Sequence, residues 1–318
     1  MKKISVIIPT YCEEDVINEF YSELKKVLIE LEKYEYEMIF INDGSTDKTE
    51  TMLNKIASND KNVKIISFSR NFGHQPAITA GIRQAKGDLC VIIDADLQDP
   101  PEIILQMLSK WENGYEVVYG RRKKRKGENI LKKITAKIFY YILSKLSDIE
   151  IPKDVGDFRL VDKKVIDIIK ELPERSKFYR GLFSWGGFNQ TFIDYDRDKR
   201  YAGKTKYSLI KMIKLALDGV ISFSNKPIKL IGKLGILAII VSVIIFIYAL
   251  VSFIYFKDTT IAGWTSLICA VVFFSGVQLI SIWILSEYIG RIYIEVKKRP
   301  EYVIKHMINM DKNNENER

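Results

Sequence analysis

The sequence predicts an α/β chain whose first part is a mainly parallel sheet covered by helices and whose last part meets a membrane. Three observations carry that prediction. Over residues 1–120 short β-branched apolar runs alternate with stretches of helical periodicity, the pattern of right-handed crossovers in a parallel sheet. Polar loops follow the strand candidates, and in such a sheet the carboxyl ends of the strands are where ligands sit. Further on, residues 234–256 form a charge-free tract of about 23 residues and 259–286 one of about 28, each long enough to cross a hydrocarbon core of about 30 Å.

The 318 residues leave no doubt of a sizeable core, and a net charge of +9 asks for an anionic partner: nucleic acid, phosphate or an acidic membrane surface. Cys12, Cys90 and Cys269 are scattered, which is neither a disulfide framework nor a zinc spacing and fits a reducing cytosol. Lys2, Lys3 and the run 4–8 could pass for a signal peptide, but Pro9 and the acids from Glu13 to Asp15 end it too early.

Taken in order, strands are expected at 4–8, 37–41, 63–68, 89–93 and 116–119, with helices at 15–32, 46–57, 76–84 and 102–111. Pro9, Tyr11 and Glu13 follow the first strand. The second leads into Asn42, Asp43, Gly44, Ser45, Thr46 and Asp47, where Gly44 allows a tight turn and the hydroxyls and Asp47 suit a helix cap. Asp43 precedes that turn, where an acid can hold a ribose hydroxyl or a base amide. Beyond the third strand Arg70 suits a phosphate, whereas His74, an imidazole with no partner nearby in sequence, reads as a packed or capping side chain. The fourth strand, buried on both faces by composition, ends at Asp94 and Asp96, with Gln98 two residues on and Pro100 and Pro101 opening the next helix. Two carboxylates so spaced suit Mg²⁺ or Mn²⁺ with positions left for a diphosphate; taken alone, the pair reads equally as a solvated acidic turn.

Together these motifs resemble the inverting GT-A (Rossmann-like) glycosyltransferases of family 2: Ser5 to Tyr11 with Glu13, Ile41 to Asp47, Arg70 to Gly73, and Asp94-Ala95-Asp96-Leu97-Gln98. The resemblance implies that Pro9, Tyr11, Glu13, Asp43, Arg70 and Asp94 bind the nucleotide, that Asp94, Asp96 and Gln98 hold the metal, and that Asp96 is catalytic.

A basic run, Arg121 to Lys126 with Lys132, Lys133 and Lys137, overlaps apolar residues at helical spacing, a pattern suited to an anionic membrane surface. A nucleic-acid patch and a solvated face compete with it, and the downstream tracts favour the membrane. Residues 154–161 end a polar loop and begin a short strand containing Arg159, with Asp157 at the strand's mouth as the acceptor-side carboxylate; 188–195 alternates as an antiparallel strand would. The loop 197–207 carries Arg200, Gly203 and Lys206. By charge it is either a solvated hairpin or a flap over a diphosphate, and resemblance to polyprenyl-phosphate glycosyltransferases favours the flap.

An amphipathic helix is expected over 207–222, then two transmembrane helices at about 234–256 and 262–287 joined by a short outer loop at Lys257 and Asp258. Lys226, Lys229 and Lys233 on one flank and Arg291, Lys297, Lys298 and Arg299 on the other place both flanks, and with them the catalytic domain and both termini, in the cytoplasm of a multi-pass inner-membrane protein. Gln278 with Ser275, Gly276 and Ser281 suggests helix packing, within the hairpin or in a homo-oligomer such as a tetramer. The expected division is 1–120 nucleotide-sugar core, 121–228 acceptor side, 229–292 membrane hairpin and 293–318 cytoplasmic tail, polar and disordered over 311–318.

Over nearly its whole length the chain is similar to polyisoprenyl-phosphate glycosyltransferases, dolichol-phosphate mannose synthases among them, and most of all to bacterial undecaprenyl-phosphate (bactoprenol) glucosyltransferases. That implies inverting transfer from UDP-glucose or UDP-N-acetylglucosamine to a polyisoprenyl phosphate, giving a donor for cell-envelope glycosylation. Arg200 and Lys206 would meet the diphosphate, Arg121, Lys132 and Lys133 the acceptor phosphate, and Asp157 the attacking oxygen or a sugar hydroxyl. Some related enzymes have arginines where this chain has Lys132 and Lys133. A phosphate monoester is largely ionised near pH 7, its second pKa being roughly 6, so no strong general base is required. A GDP-mannose-dependent enzyme and a silent nucleotide-binding scaffold are the alternatives. No tryptophan follows an arginine, which disfavours a processive polysaccharide synthase, and nucleic acid is not an expected partner.

Overall fold

The computed structural model describes residues 1–122, 155–175, 177–196, 226–255 and 263–310. Lys132, Lys133, Arg200 and Lys206, the helix expected over 207–222 and the polar tail 311–318 lie outside the described residues.

The expected alternation is present: β1 (Lys2–Thr10), α1 (Ile17–Ile29), β2 (Tyr34–Asn42), α2 (Thr49–Asn59), β3 (Val63–Phe68), α3 (His74–Gln84), β4 (Leu89–Ile92), α4 (Ile103–Glu112) and β5 (Val117–Arg122). After these come β6 (Val155–Asp162), α5 (Lys163–Glu171), α6 (Tyr179–Trp185), β7 (Gln190–Tyr195), α7 (Lys226–Tyr255), α8 (Gly263–Lys297) and β8 (Ile304–Ile308). The strands form one sheet in the order β7-β5-β6-β4-β1-β2-β3-β8. Neighbouring residues of one strand serve opposite faces, as the two-residue period requires. Ile4, Val6 and Ile8 pack with Phe20 and Leu24 of α1 and Met107 of α4, whereas Ile7 packs with Ala77 and Ile78 of α3 and Ile166 of α5. Both faces are thus covered, and the first four strands read as apolar runs for that reason.

Strand directions decide what meets at the carboxyl edge. β1 to β4 are mutually parallel, but β6 runs antiparallel to both β4 and β5, pairing Ile92 with Arg159. The start of β6 therefore lies beside the end of β4, and Asp157 is delivered next to Asp94. Residues 188–195, expected to be antiparallel, instead supply β7, which pairs with β5 in parallel register from Val117–Gln190 to Arg122–Tyr195. Its alternation reflects an edge position with one covered face, a property that carries no information about direction.

The segment expected to be a tail begins as part of α8 and then returns to the sheet. β8 pairs antiparallel with β3, Tyr302 stacks on Phe68 at 4.8 Å, and the Asn309 amide donates to the carbonyls of Ala57 and Val63 at 2.7 and 2.8 Å. A five-residue strand carrying Lys305 and His306 has too weak an apolar pattern to stand out in sequence.

α7 and α8 correspond to the two apolar tracts, and α8 continues ten residues beyond the expected end at 287. Exposed residues such as Ile236, Leu237, Ile244 and Leu279 leave much of their apolar surface uncovered. Among the described residues, Phe273–Lys297 is long and apolar enough to cross a membrane.

Candidate active site

The strand order reverses between β1 and β4, so the crevice at their carboxyl ends is the switch point of the sheet. On its β4 side Ile93 is fully buried and Asp94 emerges with a side chain 30 % exposed. Leu97 is left-handed (φ 54°), an uncommon conformation for a branched side chain, and the backbone N–H of Gln98 donates to Asp96 Oδ1 at 3.2 Å. This tight turn keeps Asp94, Asp96 and Gln98 together. Asp99, wholly buried, serves the fold instead. It accepts from the Tyr195 hydroxyl and from Arg122 Nη2 at 3.3 Å, which ties the acid loop to β5 and β7.

Asp94 carries an electrostatic excess. Burial pushes its carboxyl up to about 6, with Asp157, Asp99 and Asp96 adding to the effect and His74 opposing it. Asp157 sits in the opposite condition. Arg180 grips it with Nε and Nη2, each at 2.9 Å, and His74 Nε2 lies 3.2 Å from its Oδ2. Burial alone would raise the Asp157 carboxyl, but Arg180 and His74 hold it well below the usual range. A carboxylate held that tightly has little basicity left for deprotonating a nucleophile.

His74, expected to be a packing or capping residue, is in the crevice. It opens α3 after Gly73, and its Nε2 stands 3.7 Å from Asp94 Oδ1 as well as 3.2 Å from Asp157. Desolvation would lower its pKa, yet Asp94 and Asp157 outweigh that and raise it to about 9. Its position at a strand-end loop was the available signal, since the same rule had singled out Asp43 and Arg70.

On the β1 side the loop is laced to the one after β2. Backbone N–H groups of Cys12 and Glu13 donate to Ser45 Oγ and Thr49 Oγ1, both at 2.9 Å, and that of Glu14 to Asp47 Oδ2 at 3.3 Å. Ser45, expected as a helix cap, is therefore a staple between loops. Asp47 still caps, accepting from the Thr49 N–H at 3.0 Å. Asp43 is buried and accepts from the backbone N–H groups of Phe72 and Gly73 at 2.7 and 2.9 Å, so it shapes the Arg70 loop. Gly44 permits this close approach: at φ 64° a Cβ there would lie 2.3 Å from the carbonyl carbon of Arg70. Pro9 is buried within β1, opposite Ile41, whereas Tyr11 is 37 % exposed at the crevice mouth. Glu13 is half-buried beside it, and Arg70 is exposed, its guanidinium 4.1 Å above the Phe72 ring.

The structure gives Arg121, expected to grip the acceptor phosphate, another partner. Its Nε and Nη2 meet Asp194 at 2.6 and 2.9 Å, and its guanidinium lies 3.5 Å from the Phe192 ring centre. It fastens β5 to β7, with the side chain left partly exposed.

Among the described residues no three His, Cys, Asp or Glu side chains form a closed metal cage. The Asp94–Asp96 turn instead fits an open site. Mg²⁺ is commonly held by one or two carboxylates, with water and substrate phosphate completing its shell, and a pair of acids on one turn suits such an ion.

With this geometry in place, comparison with known proteins is direct. Residues 5–169 match the family described as "Glycosyl transferase family 2". The chain is 52 % identical over 300 residues to "Uncharacterized glycosyltransferase YkcC" of Bacillus subtilis, covering 94 % of this chain and 92 % of that protein. It is 45 % identical to "Uncharacterized glycosyltransferase sll0501" of Synechocystis, covering 95 % and 94 %. To the "Prophage bactoprenol glucosyl transferase homolog" of Escherichia coli it is 41 % identical, covering 96 % and 99 %. The match spans the crevice, its acid turn and Asp157, and the chain belongs to glycosyl transferase family 2.

Proposed function

We propose that this glycosyltransferase moves a sugar, with inversion, from a nucleotide sugar to a polyisoprenyl phosphate at the cytoplasmic face of the inner membrane. The observation that carries the reading is the acid turn at the β1–β4 switch point, in the same chain as two long helices with apolar surface uncovered. UDP-glucose and UDP-N-acetylglucosamine are the favoured donors, in keeping with the relatives whose names specify a bactoprenol glucosyl transferase.

A phosphate oxygen of the lipid attacks the anomeric carbon while the bond from that carbon to the nucleoside diphosphate breaks on the opposite face. A divalent ion, Mg²⁺ or Mn²⁺, held by Asp94, Asp96 and the Gln98 amide, would neutralise charge growing on the leaving diphosphate. Tyr11, Glu13, Asp43 and Arg70 line the nucleotide side; Asp43 acts through the loop it holds. Asp157 keeps Arg180 and His74 in place instead of taking a proton, since the phosphate nucleophile is already ionised. Arg200 and Lys206 are assigned to the diphosphate, and Lys132 and Lys133 to the acceptor phosphate. The two long helices form a membrane hairpin, so the enzyme is multi-pass with both termini cytoplasmic, and it assembles as a homo-oligomer.

The test is incubation of purified protein with undecaprenyl phosphate, Mg²⁺ or Mn²⁺, and a panel of radiolabelled nucleotide sugars. Label entering the organic phase from UDP-glucose or UDP-N-acetylglucosamine is expected. Label from GDP-mannose alone would replace the donor assignment, and no label from any donor would contradict the function.

A further inference from the structure

The arrangement behind Asp94 is a relay of three fixed side chains. Arg180 on α6 clamps Asp157 through two bonds of 2.9 Å; Asp157 Oδ2 receives His74 Nε2 at 3.2 Å; and the imidazole presents the same edge to Asp94 Oδ1 at 3.7 Å. His74 is itself fixed at its root, as the first residue of α3. Its side chain is 30 % exposed, at the crevice and not in the core. A ring needed only for packing requires none of these partners. The relay also draws on elements distant in sequence, His74 and Asp157 being 83 positions apart.

We propose that His74 is a positioning residue, holding the Asp94 carboxylate in the orientation that receives the divalent cation, with Asp157 and Arg180 fixing the ring from behind. Ligating carboxylates are themselves commonly held by outer partners, whose removal costs about 10- to 100-fold in metal affinity. The inference rests on the metal-assisted reading of the site given above.

Calorimetric titration of Mn²⁺ into the full-length protein with UDP present tests it, using wild type, His74→Ala and His74→Gln. The expected result is an affinity about 10- to 100-fold weaker for His74→Ala. The His74→Gln amide nitrogen reaches the position of Nε2 and can still donate to Asp157, and this variant is expected to return to within about threefold of wild type. Should His74→Ala fail to fold, His74→Leu takes its place. Unchanged or tighter binding in the Ala or Leu variant overturns the proposal, as does failure of His74→Gln to recover, or absence of Mn²⁺ binding by the wild type. Transfer to undecaprenyl phosphate, measured in parallel, separates the two readings. A wild type that transfers sugar beside a His74→Ala protein binding Mn²⁺ normally defeats only the positioning role. A wild type that binds Mn²⁺ with UDP yet transfers from no donor defeats only the function.

Discussion

Glu37, near the amino end of β2, and Asp94, just beyond the carboxyl end of β4, are carboxylates set into the two ends of one sheet, the first buried and the second partly so, and their electrostatic states are opposite. Glu37 is 1 % exposed and meets the ammonium groups of Lys3 and Lys64, each at 2.8 Å, the Ser5 hydroxyl and the Lys86 N–H. Burial opposes its charge, but those partners prevail and hold it at about 2. At Asp94 burial, with Asp157, Asp99 and Asp96 nearby, outweighs His74, and the carboxyl rises to about 6. One end of the strands is compensated from within the fold; at the other, His74 opposes the rise at Asp94 without cancelling it, which leaves a place for an added cation. Such a difference separates a structural cluster from a working one.

Substitutions that exchange these properties test the comparison. The largest effect is expected from Asp94→Asn, which removes the charge a cation needs. Transfer activity should fall by about a thousandfold, while thermal unfolding of the metal-free protein is unchanged or slightly raised, because a poorly compensated charge has gone. Glu37→Gln should do the reverse. Breaking a buried ion pair by removing one partner costs about 3–5 kcal/mol, and the partial exposure of Lys3 reduces that to about 2 kcal/mol in urea unfolding. The kcat and KM of the folded fraction should stay at wild-type values.

The same cluster sets an acid limit. Because the folded-state pKa of Glu37 is depressed, its stabilisation is fully present above the ordinary value of 4.5 and is lost as pH falls toward about 2. Unfolding free energies measured from pH 6 to pH 2 should therefore decline in wild type and decline less steeply in Glu37→Gln. A parallel decline in both would show the cluster to be uncoupled from folding. The smallest effect is expected from Arg121→Ala. Its pair with Asp194 is well exposed, so at most about 1 kcal/mol of stability is lost, and the KM for polyprenyl phosphate should change by less than about threefold, as suits a residue that fastens two strands. A rise of tenfold or more would return Arg121 to the acceptor site.

What was legible in the sequence follows the range of each interaction. β1 to β5 were readable because each is a local apolar run closed by a polar loop, and Asp94, Asp96 and Gln98 because they fall within five residues. The family motifs covered the nucleotide side for the same reason. For His74 only the strand-end position was readable and its partners were not: Asp94 and Asp157 arrive from other strands, the second only because β6 reverses direction beside β4. Arg121 read as a phosphate contact because nothing local in sequence announces Asp194, its partner on β7. β8 escaped notice because an edge strand of five residues borrows its stability from β3 and carries little pattern of its own.

Everything proposed for this enzyme depends on the Asp94–Asp96 turn taking up a divalent ion together with the nucleotide. Titration of UDP into the purified protein with Mn²⁺ and with a chelator, alongside an Asp94→Asn, Asp96→Asn double variant, measures that coupling directly. UDP binding that strengthens about 100-fold with Mn²⁺ in wild type, and is indifferent to the metal in the variant, is the predicted result. UDP binding that ignores Mn²⁺ in wild type, or responds to it equally in the variant, would contradict the account.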